Sequence, residues 1–141
     1  MADGKMERLG RTVDQLIKDS PGRLSGCVVT NERGLVVAEK SLDGSSSQTL
    51  AAMISLLSDT AIRVNDNLGF GHPRTASIRA LGALVAIHQF QVQNKWFRIG
   101  AVLIDDNDGR FWPLKRHLSV RRVEKSLGSA AQKIRSILES S

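Results

Sequence analysis

The residues able to do chemistry are few and do not converge in sequence. His72, His88 and His117 have no i, i+4 histidine partner and no acid at metal-ligand spacing. Cys27 is the only cysteine, so the chain supports neither an internal disulfide framework nor a cysteine zinc cluster. It lies in Gly26-Cys27-Val28-Val29, an apolar run that suits a buried, inert thiol, and no base is evident beside it. No serine occupies a G-x-S-x-G turn. There is no G-x-x-x-x-G-K-[ST] string, so the chain is not itself a phosphate-loop GTPase or ATPase. Asp105 to Gly109 looks like the start of a calcium loop, but the place of the bidentate glutamate is taken by Arg116. These patterns assign no catalytic residue, no cofactor and no metal, and the expectation is a non-enzyme.

Charge is the stronger signal. Between Arg110 and Lys125 stand six basic residues (Arg110, Lys115, Arg116, Arg121, Arg122, Lys125) and one acid, Glu124. The other 125 residues hold 14 basic and 13 acidic side chains, so +5 of the net charge of +6 lies in this one segment. Phe111-Trp112-Pro113 interleaves aromatic surface with that charge, as a binding loop would. Nucleic-acid recognition calls for basic residues spread over a face and aromatics to stack on bases, and the neutral remainder of the chain weighs against it.

The elements that must hold these residues follow from apolar spacing. Met6, Leu9, Val13, Leu16 and Ile17 make one helical stripe over Lys5 to Ser20, stopped by Pro21-Gly22. Leu24 to Thr30 and Leu35 to Lys40 read as a β-hairpin turning at Asn31 to Gly34. After a Gly- and Ser-rich connector, Gln48 to Leu68 reads as a helix. Its stripe is Leu50, Met53, Ile54, Leu57, Ala61, Val64 and Leu68, with Leu56 and Ile62 left over as a second apolar face. Gly69-Phe70-Gly71-His72-Pro73 breaks that helix. Thr75 to Ala80, Ala83 to Gln91 and Phe97 to Asp105 then read as an antiparallel meander, with His88 on one strand face, where a hydrogen bond would satisfy it. Asp105 to Leu118 reads as an irregular loop, and Ser119 to Glu139 as a long amphipathic helix. The fold class is α+β: one antiparallel five-stranded sheet flanked by three helices. Residues 1–141 are expected to form one domain with its core in about 6–139. The start, Met1-Ala2-Asp3-Gly4-Lys5, has no apolar signal core, so a cytoplasmic location is expected.

In this order several strings resemble the Roadblock/dynein light-chain family in its prokaryotic or archaeal form. Members open with a helix ending in a proline-glycine turn, here Pro21-Gly22. A G-x-x-V-V strand, a polar turn with glycine and an L-V-V-A strand follow, here Gly26 to Thr30, Asn31 to Gly34 and Leu35 to Ala38. Leu50-Ala51-Ala52-Met53 and Ile78-Arg79-Ala80 also look like the family, and the likeness runs over about residues 6–139. The loop before the last helix departs from it, being longer and carrying Asp106 to His117.

The resemblance implies a non-catalytic fold that pairs through its middle helix and the strand after it, joining two sheets into one. The pairing surface would then hold Met53, Leu56, Thr60 and Arg63 with Thr75, Ala76, Ser77, Ile78, Arg79 and Ala80. The partner would be a second copy or a paralogue. An edge strand guarded only by Arg79 gives pairing a physical reason. The resemblance further implies a platform for a Ras-like small GTPase, as scaffold or as modulator of its nucleotide cycle. On this chain it would use Ser55, Asp59, Ile62, Arg63 and Asp66, with Arg110, Trp112, Lys115, Arg116, Arg121 and Arg122 from the basic segment. Any effect on hydrolysis would come from arranging the GTPase's own residues or from an arginine such as Arg63. The alternative reading is a small-molecule sensor or a profilin- or longin-like interaction module, which predicts a pocket between sheet and helix with small residues facing inward.

Overall fold

A computed structural model describes residues 2–19, 24–41, 47–79, 83–104 and 112–140. In chain order the elements are α1 (Ala2–Asp19), β1 (Leu24–Thr30), β2 (Val36–Ser41), α2 (Ser47–Leu68), β3 (Thr75–Arg79), β4 (Ala83–Val92), β5 (Lys95–Ile104) and α3 (Trp112–Glu139). The five strands form one sheet in the order β2-β1-β5-β4-β3, antiparallel throughout. The first hairpin and the later meander are thus stitched together by β1 against β5, which leaves β2 and β3 as the two edges.

Both faces of the sheet are covered, which is why β1 is buried at nearly every position instead of alternating. On one face Cys27 and Val29 of β1, Leu84, Ala86 and Phe90 of β4, and Ile99, Ala101 and Leu103 of β5 pack under two helices. These contribute Leu9, Val13 and Leu16 from α1 and Val123, Leu127, Ala131 and Ile134 from α3. On the other face Val28 and Ile87 meet Leu50, Ala51 and Ile54 of α2. The result is three layers, with two helices on one side of the sheet and α2 alone on the other. Cys27 is fully buried and free, and burial pushes its thiol pKa up to about 12.

Three details differ from the sequence reading. The β4–β5 connection is a two-residue turn, Gln93-Asn94, with φ of 51° and 69°, so β5 begins at Lys95. Two consecutive left-handed residues match the right-handed twist of the strands, and asparagine tolerates that conformation. The expected loop Asp105 to Leu118 is shorter, because α3 already begins at Trp112. Pro113 falls in its first turn, where a missing N–H costs nothing. The stripe expected to be core is also narrower than read: Met6 of α1 and Met53, Val64 and Leu68 of α2 are exposed, Met53 lying beside buried Ile54 but turned to the flank of the helix.

Candidate protein-interaction surface

α2 presents three faces. Leu50, Ile54 and Ser58 are buried against the sheet. Close approach is possible because Gly100 of β5, directly beneath, has no side chain: an added Cβ would stand 2.6 Å from Ile54 Cγ1. At 100° per residue the exposed surface then divides into two flanks. Ser55, Asp59, Ile62 and Asp66 occupy one, with Ser55 and Ile62 half-buried and the two aspartates exposed. That flank overhangs the β1–β2 turn, where a Cβ on Gly34 would lie 3.1 Å from Ser55 Oγ. Met53, Leu56, Thr60, Arg63 and Val64 occupy the opposite flank, all exposed. Thr60 turns its hydroxyl back to the Leu56 carbonyl at 2.9 Å, so its methyl adds to the apolar character outside.

The second flank looks toward β3. In register, Ala76 pairs with Ile87 and Ile78 with Val85, which puts Ala76 and Ile78 on the α2 side of the sheet. Ala76 is half-buried against the α2 core cluster, whereas Ile78 is 55% exposed. Thr75, Ser77 and Arg79 are exposed and point to the other face, and the outer edge of the strand is an edge of the sheet. Leu56 at 69% and Phe70 at 76% exposure extend this apolar surface over the helix and past its end. Single apolar residues are common on surfaces, whereas several exposed ones beside an edge strand are what a pairing surface would need.

A polar cluster pins α2 and its exit loop to the sheet. Arg98 of β5 is buried; its guanidinium lies 3.8 Å from Asp59 Oδ1, and its Nε donates to Gln89 Oε1 at 3.4 Å. Gln89 is 2% exposed and donates from Nε2 to the Pro73 carbonyl at 3.3 Å. His72 stacks on Trp96 with ring centroids 3.6 Å apart. Asp59, expected from sequence as a partner contact, is therefore also the counter-charge of a buried arginine. Periodicity registers apolar spacing only, so Arg98 and Gln89 carried no sequence signal.

The expected site residues are thus only partly assembled. Met53, Leu56, Thr60 and Arg63 share a flank facing β3, and Thr75, Ser77, Ile78 and Arg79 are exposed on that strand. Ala80 and Arg110 lie outside the described residues, as do the side chains of Trp112, Lys115, Arg116 and Arg122, although the backbone from Trp112 is helical. Arg121 is exposed on α3. α3 lies across the sheet from α2, so Arg121 and the α2 residues belong to different faces of the molecule. His88 departs from expectation: it sits on the α3 side of β4, and its Nδ1 is buried with no hydrogen-bond partner among the described residues. Burial lowers its pKa from the ordinary 6.5, Arg74 adds to that shift, and Glu124 opposes it. No group of three or more His, Cys, Asp or Glu side chains able to hold a metal occurs among the described residues. None of the helices in the described residues is long and apolar enough to cross a membrane.

No family model matches the chain, and no curated protein matches it in sequence. Solved structures do. MglB of Myxococcus xanthus superposes with a TM-score of 0.72 at 11% identity, covering 96% of this chain and 90% of that one. The gliding protein MglB of Thermus thermophilus gives 0.73 at 12% identity, over 97% and 93%. A Roadblock/LC7 domain from Streptomyces avermitilis gives 0.58 at 18% identity, over 84% and 97%. These superpositions cover 84% to 97% of the chain: its fold is that of a bacterial Roadblock-type domain.

Proposed function

We propose that this chain is a non-enzymatic adaptor that acts as a dimer and receives a Ras-like small GTPase on the surface made by its paired α2 helices. The observation that carries the reading is the exposed apolar flank of α2, from Met53 to Val64, lying beside the open edge strand with Ile78. A second copy placed edge to edge through β3 continues the sheet and covers both features at once. The other flank, Ser55 to Asp66, stays outside that pairing and offers two carboxylates and Ile62 to a different partner. The nature of that partner rests on the family resemblance, as does the modulation of its nucleotide cycle. The whole chain acts as one domain, in the cytoplasm.

A Ras-like GTPase encoded in the same genome, loaded with GDP or with a non-hydrolysable GTP analogue, is titrated with the full chain by calorimetry. Binding in one nucleotide state, weakened by Asp66→Lys, is the expected result. An absence of binding in both states, with a dimer still present, removes the GTPase and leaves the pairing intact.

A further inference from the structure

On the face opposite α2, a groove of about 510 Å³ runs between α3 and the β4 side of the sheet. Its wall on α3 is the stripe Lys125, Ser129, Gln132 and Arg135, and its floor includes His88 and Phe90, with Arg74 at the start of β3 closing one side. Three observations set this groove apart from ordinary surface relief. Among the described residues its lining contains three guanidinium or ammonium groups and no carboxylate. Arg74 and Lys125 make no ion pair among the described residues, and Arg135 uses its Nε on Glu139 at 3.3 Å. Second, His88 interrupts a strand face that is otherwise Leu84, Ala86, Phe90 and Val92, and its buried Nδ1 has no hydrogen-bond partner among the described residues. An apolar residue at that place would cost less. Third, Gly128 stands in the middle of α3 over the His88 ring, its missing Cβ 3.7 Å from His88 Cε1. A mid-helix glycine costs about 0.5–1 kcal/mol relative to alanine, and here its effect is to keep the groove open above the imidazole.

We propose that this groove binds a small organic anion, with Arg74, Lys125 and Arg135 as counter-charges and His88 and Ser129 as hydrogen-bonding groups. Lys125 and Arg135 are ten residues apart on one helix, which sets them about 15 Å apart along its axis. Cations distributed along the groove suit a ligand with more than one carboxylate or phosphate held between neighbouring members of the set, and the volume is that of a small-molecule pocket. An anion beside His88 favours its imidazolium, acting in the same direction as Glu124 and against the burial and the Arg74 charge that lower its pKa. The groove lies within one chain, so the inference is independent of dimer formation and of any GTPase.

The test is a titration of the full chain with pyrophosphate in one arm and citrate in the other, followed through the His88 Cε1 proton resonance. The expected result is saturable binding of one or both at millimolar concentration, with the His88 titration moving to higher pH; the arm that saturates tells phosphate from carboxylate. Lys125→Glu, an exposed substitution, weakens it by about tenfold. Gly128→Leu, whose first carbon meets only ordinary contact distance, fills the groove and abolishes it. Circular dichroism confirms that both variants are folded. If neither anion saturates, or if either folded variant binds as the parent does, the proposal is overturned.

Discussion

Gly100 of β5 and Ile54 of α2 meet with no room for a single added carbon. A Cβ on the glycine would stand 2.6 Å from Ile54 Cγ1 and closer still to Cδ1, while Ile54 is itself fully buried. α2 is the only helix on its face of the sheet among the described residues, so this contact sets how closely the helix, and the flank it presents, sits on the strands. Gly100→Ala therefore forces Ile54 or the whole helix outward and lowers stability by about 1–3 kcal/mol. Ile54→Ala costs about 2–5 kcal/mol through the cavity it leaves. Combining the two recovers part of the loss, because Ile54→Ala removes what the new methyl collides with and the methyl fills part of the cavity left by Ile54. Urea denaturation of the three variants measures this.

Cys27 gives a pH signature on the alkaline side. Its folded-state pKa of about 12 stands above the ordinary 9.0, so the folded chain keeps a proton that the unfolded chain releases. Its contribution to stability is complete below pH 9 and is lost as pH rises from there toward 12. Once the unfolded thiol is ionised the slope approaches about 1.4 kcal/mol per pH unit. Urea midpoints at pH 8 and pH 10 should separate for the parent more than for Cys27→Ala. In native buffer the thiol should stay unreactive toward Ellman's reagent until the chain unfolds.

His88 acts on the acid side. Burial lowers its pKa below 6.5, so the unfolded chain binds the proton more readily than the folded one. The stability tied to neutral His88 is present above pH 6.5 and is lost as pH falls below it. A His88→Gln variant should lose that part of the acid dependence, read from urea midpoints at pH 7.5 and pH 5.

Arg98 is held by Gln89 and Asp59 beneath α2, and removing a partner leaves a buried charge incompletely matched. Gln89 is the buried partner, so Gln89→Ala should destabilise by about 1–3 kcal/mol. Asp59 is 61% exposed and partly solvated, and Asp59→Asn should cost less, about 1 kcal/mol or below. Thermal melts of the two variants rank them.

Much of the architecture could be read from apolar spacing. β1 from Leu24 to Thr30 is a run long enough for a strand only, and the stripe Leu9, Val13, Leu16 admits no other element. The start of α3 could not be read this way, because Pro113 acts as a breaker inside a helix but is neutral in its first turn. For the surface, Leu56 stood out by lying off the stripe, but Val64 fits the stripe and is nonetheless exposed, since periodicity cannot tell how far a helix overhangs its sheet. The groove over His88 was illegible for a different reason. It needs Gly128 and His88 to meet across forty residues of chain, and only the packing of α3 on β4 brings them together.

In the proposed dimer the α2 flank and the β3 edge are covered by a second copy. Light scattering on the full chain and on Ile78→Asp tests it most directly, since Ile78 is exposed and its replacement leaves the fold of one chain undisturbed. The expected masses are near twice 15.4 kDa for the parent and 15.4 kDa for a folded Ile78→Asp variant. A parent that stays at 15.4 kDa across the accessible concentration range, or a dimer that Ile78→Asp leaves whole, contradicts this pairing.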